Sequence, residues 1–199
     1  LDEPFSALDA GLRDDVRADV LAAIRADGAT AVLVTHDQDE ALSAADRVAI
    51  MAHGRIVQEG TPAEVYLQPV DLETARFVGE ALEIPGEVTA GDDLTVTGAL
   101  GHVSARTAAA ASLPAGTTGT LVVRPEDLAV AHDSAGEGDG RLARGTVVQV
   151  RYHGHDCLTQ VDLDSGPTVT VRSLGMTTLA PGQQCRLRLT RPPLFFPDA

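Results

Sequence analysis

Two adjacent carboxylates, Asp2 and Glu3, stand directly before Pro4. A proline cannot continue a central strand, so the pair closes whatever extended segment it belongs to. Neighbouring side chains at a strand end point in different directions. One carboxylate can therefore hold a hard cation such as Mg²⁺ while the other orients and deprotonates a water, the division of labour that phosphoryl transfer to water requires. His36, followed by Asp37, stands 33 positions after Glu3, just past the β-branched and apolar run Thr30–Val34, which is predicted to be a buried strand. In an open parallel sheet, ligands gather at the carboxyl ends of strands, which puts His36 on the same edge as Asp2 and Glu3. An imidazole there can donate to a phosphate oxygen.

Other candidate groups carry less. His153 and His155 could share one face of a strand and ligate a metal, but Tyr152-His153-Gly154-His155-Asp156 reads first as a turn between two strands. Arg124 and Arg191 each precede a proline at the end of a strand and are expected to anchor structure by pairing with carboxylates or carbonyls. Cys157 and Cys185 lie 28 positions apart, form no C-x-x-C, and are read as small core residues in a reduced protein.

The elements that must position these groups fall into two modules. Leu12, Val16, Val20 and Ile24 recur every four residues, a helical stripe that predicts a helix from Asp9 to Asp27 with Gly28 as its stop. Asp37 is predicted to cap the next helix, with Glu40 completing a capping box. Arg47–Met51 and Arg55–Gln58 read as strands around His53-Gly54, and helices are predicted after Thr61-Pro62 and from Leu72 to Val78. This is an α/β pattern. From about Ile84, short alternating runs at 94–97, 120–123, 146–150, 158–163, 168–172 and 186–189 predict a small barrel or sandwich. Leu113-Pro114-Ala115-Gly116 leading to Arg124-Pro125 is echoed 66 to 67 residues later by Leu179-Ala180-Pro181-Gly182 leading to Arg191-Pro192. Two related β units are expected, joined by a loop over Ala131–Gly140.

Composition closes several routes. All 15 basic residues of the 199 are arginine. Without lysine there is no Schiff-base chemistry and no G-x-x-x-x-G-K-[ST] loop to grip a triphosphate. Codon bias accounts for the exclusive use of arginine. The net charge of −14, split −10 over residues 1–82 and −4 over 83–199, excludes nucleic acid and anionic bilayers as partners. No apolar run approaches the ~18 residues of a membrane span, and the first residues have no signal-peptide character.

Leu1-Asp2-Glu3-Pro4 resembles the tail of a Walker B motif, Ser6-Ala7-Leu8-Asp9 a D-loop, and Val34-Thr35-His36-Asp37 the switch-histidine region of ABC transporter ATP-binding subunits. Gly60-Thr61-Pro62-x-Glu64-x-Tyr66-x-x-Pro69 with Ala75-x-Phe77-x-Gly79 is similar to the segment closing this ATPase domain in importers that carry a C-terminal regulatory domain. Val123-Arg124-Pro125-Glu126 resembles a marker of that domain, the transport-associated OB-type (TOBE) module. The resemblance implies the fold class: an α/β remnant of an ABC ATPase domain over residues 1–82, then an all-β OB-like (TOBE) regulatory domain over 83–199.

It also implies roles. Asp2 would coordinate Mg²⁺ through water, Glu3 would be the general base, His36 would contact the γ-phosphate of ATP, and Asp9 would lie at the interface with a second copy of the subunit. The P-loop, glutamine loop and signature motif of the family precede the Walker B region and are not in this sequence, which also starts without an initiator Met. The expectation is thus the C-terminal portion of a subunit, inactive by itself. The intact subunit would be a homodimer, peripheral on the cytoplasmic face of the membrane, driving permease subunits loaded by a solute-binding protein. The solute implied is an iron(III) complex, a polyamine or a sugar, and the Tyr152–Asp156 stretch favours iron(III). The alternative is a non-catalytic regulatory or small-ligand-binding β module. A metal hydrolase built on His36, Asp37 and His155 ranks below both.

Overall fold

The computed structural model describes residues 1–89, 94–108, 112–133 and 143–198. Most of the loop expected over Ala131–Gly140 lies outside the described residues. The chain divides into two compact units, Leu1–Val70 and Asp71–Ala199.

In the first unit, helix α1 (Ala10–Ala26) starts where Asp9 accepts a bond from the Leu12 amide and stops at Gly28, whose φ of 63° a side chain would resist. Helix α2 (Gln38–Ala44) is capped by Asp37, which accepts from the Glu40 amide. Strands β1 (Val48–Ala52) and β2 (Arg55–Gly60) form an antiparallel hairpin. Its turn residues His53 and Gly54 both have positive φ, 50° and 73°, the twist that a two-residue hairpin loop favours. Helix α3 (Pro62–Leu67) begins with a full capping box between Thr61 and Glu64.

The segment 30–34 corrects an expectation. It forms no buried strand: Val34 makes a single parallel bridge to Asp2, and Val32 and Val34 are 74% and 55% exposed. An apolar β-branched run becomes a buried strand only if neighbours pair with it on both sides, and among the described residues only Leu1–Glu3 runs alongside. The α/β character expected of residues 1–82 is accordingly limited to helices, one hairpin and this bridge.

The second unit begins with helix α4 (Leu72–Phe77), capped by Asp71. Ala75 on this helix packs with Val122 and Phe196, which places the helix with the β strands of this unit. Ten strands follow among the described residues: β3 (Leu82–Thr89), β4 (Thr95–Gly98), β5 (Gly101–Ser104), β6 (Thr118–Val123), β7 (Leu128–His132), β8 (Ala143–Tyr152), β9 (Asp156–Leu163), β10 (Thr168–Leu174), β11 (Gln184–Leu189) and β12 (Leu194–Pro197). They form two five-stranded sheets, ordered β12-β6-β3-β4-β5 and β10-β9-β8-β11-β7. In the first, Arg106 just past β5 bridges in parallel to Leu194 of β12, closing the sheet as in a five-stranded OB-type barrel.

The sequence echo is a structural repeat. Gly116 and Gly182 both have φ of 86°. Gly116 N donates to Val88 O and Gly182 N to Val147 O, both at 2.8 Å. Strands β3–β6 thus correspond to β8–β11. After each Arg-Pro corner the chain crosses over: β7 joins the sheet of the second repeat and β12 that of the first. Each repeat lends its last strand to the other, and one buried cluster, including Ile84, Val96, Val161, Val171 and Phe195, spans both sheets.

Candidate functional site

Leu1–Glu3 and Val32–Val34 run side by side. Leu1 N donates to Val32 O (2.9 Å), Val34 N to Leu1 O (2.9 Å) and Glu3 N to Val34 O (2.8 Å). Parallel pairing ends both segments on one edge, which carries Asp2 and Glu3 from one and His36 from the other. Glu3 has φ of 42°, in the left-handed region that costs a non-glycine residue on the order of 1 kcal/mol or more. The turn that follows is held by Ser6, whose hydroxyl donates to Glu3 O at 2.9 Å.

Glu3 Oε1 lies 2.7 Å from His36 Nδ1. Both side chains remain open to solvent, at 45% and 74% exposure. The Glu3 carboxylate, as hydrogen-bond partner and then as negative charge, holds the His36 pKa above its ordinary 6.5, and Asp37 and Glu40 add to the effect. A protonated imidazole donates both ring N–H groups. With Nδ1 engaged, Nε2 is the nitrogen left to face a ligand.

Of the other expected site residues, Asp9 caps α1 through the 3.0 Å bond from Leu12 N. Asp37 combines its cap bond to Glu40 N with an ion pair to Arg13 at 3.4 Å. The capping box expected there is half formed, because the Glu40 carboxylate accepts from the Thr35 hydroxyl rather than from the Asp37 amide. Glu40 is buried, with Oε1 among the side-chain atoms left without a hydrogen bond. Arg13 was not singled out by sequence; the available signal was an arginine four residues after the helix cap.

In the second unit, His153 and His155 sit in the tight turn between β8 and β9, with Gly154 at φ of 86°. His155 approaches Asp156 at 3.9 Å, and Asp156 also pairs with Arg172 at 3.4 Å. Arg124 is buried and donates to the carbonyls of Gly79 and Glu80 at 2.7 and 2.9 Å, while Arg191 pairs with Asp127 at 3.6 Å. These are the anchoring roles expected of both arginines. Cys157 and Cys185 are buried free thiols. Among the described residues no helix is long and apolar enough to cross a membrane.

Residues 121–196 match the TOBE domain family. The Fe(3+) ions import ATP-binding protein FbpC 2 of Rhodococcus jostii is 43% identical over 200 residues, which is 95% of this chain and 52% of that protein. FbpC of Haemophilus influenzae is 34% identical, over 98% of this chain and 53% of its own length. The sulfate/thiosulfate import ATP-binding protein CysA 2 of Chromobacterium violaceum is 39% identical, over 92% and 50%. The chain thus spans about half the length of the curated relatives it matches. Among solved structures, the cytoplasmic molybdate-binding protein ModG superposes on 54% of this chain and 89% of its own, with a TM-score of 0.45 and 17% identity. With 41–43% identity to three Rhodococcus jostii relatives over at least 95% of its length and a match to the TOBE domain family over residues 121–196, the chain is related to about half of an ABC importer ATP-binding subunit.

Proposed function

We propose that the chain supplies the water-activating half of an ATP-hydrolysing importer subunit, residues 1–82, joined to a regulatory β domain, residues 83–199. The observation that carries this reading is the 2.7 Å contact between Glu3 and His36 at the shared edge of two parallel segments. Glu3 acts as the general base toward the attacking water. His36, its Nδ1 held by Glu3, presents Nε2 to the terminal phosphate of ATP. Asp9 at the head of α1 meets a second copy of the subunit.

The fit to Mg-ATP is partial. Asp2 is an exposed carboxylate beside Glu3, and its oxygens suit Mg²⁺ held through water. Bound there, the ion would neutralise charge on the phosphates. The gripping loop is another matter, because no lysine exists in the chain to complete it. The chain by itself is therefore inactive, and the whole subunit works as a homodimer at the cytoplasmic face of the membrane. There it drives permease subunits fed indirectly by a solute-binding protein. Iron(III) is the favoured solute, since relatives over 40% identical are named as Fe(3+) importers.

Purified chain incubated with Mg-ATP should release no phosphate. Turnover that disappears in Glu3→Gln would overturn the inactive-half reading.

One observation favours a second reading, a non-catalytic β module. The β unit has a continuous buried core, whereas the first unit leaves Val32, Val34, Met51 and Ile56 exposed. A large rise in melting temperature with iron(III) citrate or sulfate, and none with Mg-ATP, would favour it.

A further inference from the structure

Arg13 stands one turn into α1, and its guanidinium reaches in two directions. Nη2 donates to Leu8 O at 3.1 Å, and Nη1 donates to Asp37 Oδ2 at 3.4 Å. Leu8 precedes Asp9 and Asp37 follows His36, so one side chain ties the backbone of the first turn to the residue beside the histidine. The ion pair is about two-thirds buried, with side-chain exposures of 33% and 36%. A flat, forked cation suits such a two-ended link, and lysine, a single point of charge, does not.

Beyond Asp37 the link continues to both sides of His36. Asp37 Oδ1 accepts from Glu40 N at 3.1 Å, and Asp37 N donates to Thr35 Oγ1 at 3.0 Å. The Thr35 hydroxyl in turn donates to the Glu40 carboxylate, which is only 4% exposed. His36 therefore hangs between two residues that are both fastened to the first turn of α2, and the fastened turn is joined to α1 through Arg13. What remains to His36 is its ring contact with Glu3.

We propose that Arg13 is a positioning residue that transmits displacement of the Leu8–Asp9 turn to the His36 turn, and so sets how His36 meets Glu3. It acts through Asp37. The inference rests on the roles proposed above for Glu3 and His36: if a second copy bears on Asp9, Arg13 makes the hydrolytic pair sensitive to that contact.

The test is a mutant cycle on the chain as it is, without nucleotide, read from the His36 ring and amide signals by NMR at fixed pH. Asp9→Ala disturbs the first turn and should displace the His36 signals. In an Arg13→Lys background, which keeps the charge and loses the fork, that displacement should fall by more than half. Arg17→Lys, one turn further along and paired with Asp14 at 2.7 Å, should leave it intact. An equal displacement with Arg13 and with lysine, or none in the parent, would overturn the inference. Should Arg13→Lys lose α1, the cycle is run with Asp37→Ser, which keeps a cap acceptor for Glu40 N and removes the partner of Arg13; the same loss of transmission is expected. A failed cycle leaves the hydrolytic reading standing, since that reading fails separately, through ATP turnover left unchanged by Glu3→Gln once the chain is joined to the preceding half of a relative's subunit.

Discussion

Glu3 and His36, 33 residues apart in sequence, meet at 2.7 Å across a turn in which Glu3 holds a left-handed backbone. A strained, solvent-facing carboxylate that engages one nitrogen of an imidazole can direct protons. It is also open to direct titration.

The His36 midpoint, followed by NMR, should lie above the ordinary imidazole value of 6.5 and fall in Glu3→Gln. The sign follows from linkage: a folded pKa above the unfolded one adds stability that is full below the unfolded pKa and is lost as pH rises through the folded one. The turn should therefore be better ordered on the acid side of neutrality than at pH 8. A midpoint unmoved by Glu3→Gln would refute the contact as the cause.

Arg124→Ala should destabilise the β unit by about 2–4 kcal/mol in urea unfolding. It removes two bonds to Gly79 and Glu80 carbonyls and leaves them without those partners beside a buried cavity. Arg191→Ala, which loses one half-exposed ion pair, should cost well under half as much.

Cys185 should resist alkylation in the native state. Burial pushes its thiol pKa up to about 11, and Sγ donates to Gly145 O at 3.4 Å. Because the folded pKa exceeds the unfolded value of 9.0, stability should fall as pH rises from about 9 toward 11. Rapid labelling by iodoacetamide at pH 8 without unfolding would contradict this placement.

Phe195 is fully buried on β12, a strand that follows the second repeat and completes the sheet of the first. Phe195→Ala should cost about 3–5 kcal/mol. The loss should appear as one transition for both sheets, since they share a core. Two separated transitions would show that the exchanged strands do not couple the repeats. Gly119→Ala should be at least as damaging, because its Cβ would lie 2.3 Å from the Phe196 carbonyl oxygen.

What could be read from sequence follows from how local each signal is. The starts of α1, α2, α3 and α4 were legible because Asp9, Asp37, Thr61 and Asp71 cap amides within three residues of themselves. Strand β3 was not, because Pro85 and Gly86 interrupt its alternation; Gly86 is needed there because a Cβ would meet Val96 at 2.5 Å. Strand β12 is four residues long, and its seat beside β6 is fixed by pairing with a strand about 70 positions away. The echo of Arg-Pro corners revealed a repeat, but the exchange of last strands is a long-range choice that no local pattern carries. At the site, Asp2, Glu3 and His36 were legible as types and spacing. The link through Arg13 was not, since it depends on how α1 lies against the His36 turn. The strand expected at 30–34 failed for the same reason in reverse: its composition is that of a buried strand, and burial depends on partners.

The central claim is that Glu3 and His36 form the hydrolytic pair of an importer subunit. It is tested most directly by joining Leu1 to the preceding half of Rhodococcus jostii FbpC 2, the 43% identical relative, and measuring phosphate release from Mg-ATP. Loss of turnover by roughly a hundredfold or more in both Glu3→Gln and His36→Ala, with ATP binding retained, is the expected result. Turnover in Glu3→Gln equal to that of the unsubstituted fusion would contradict the account.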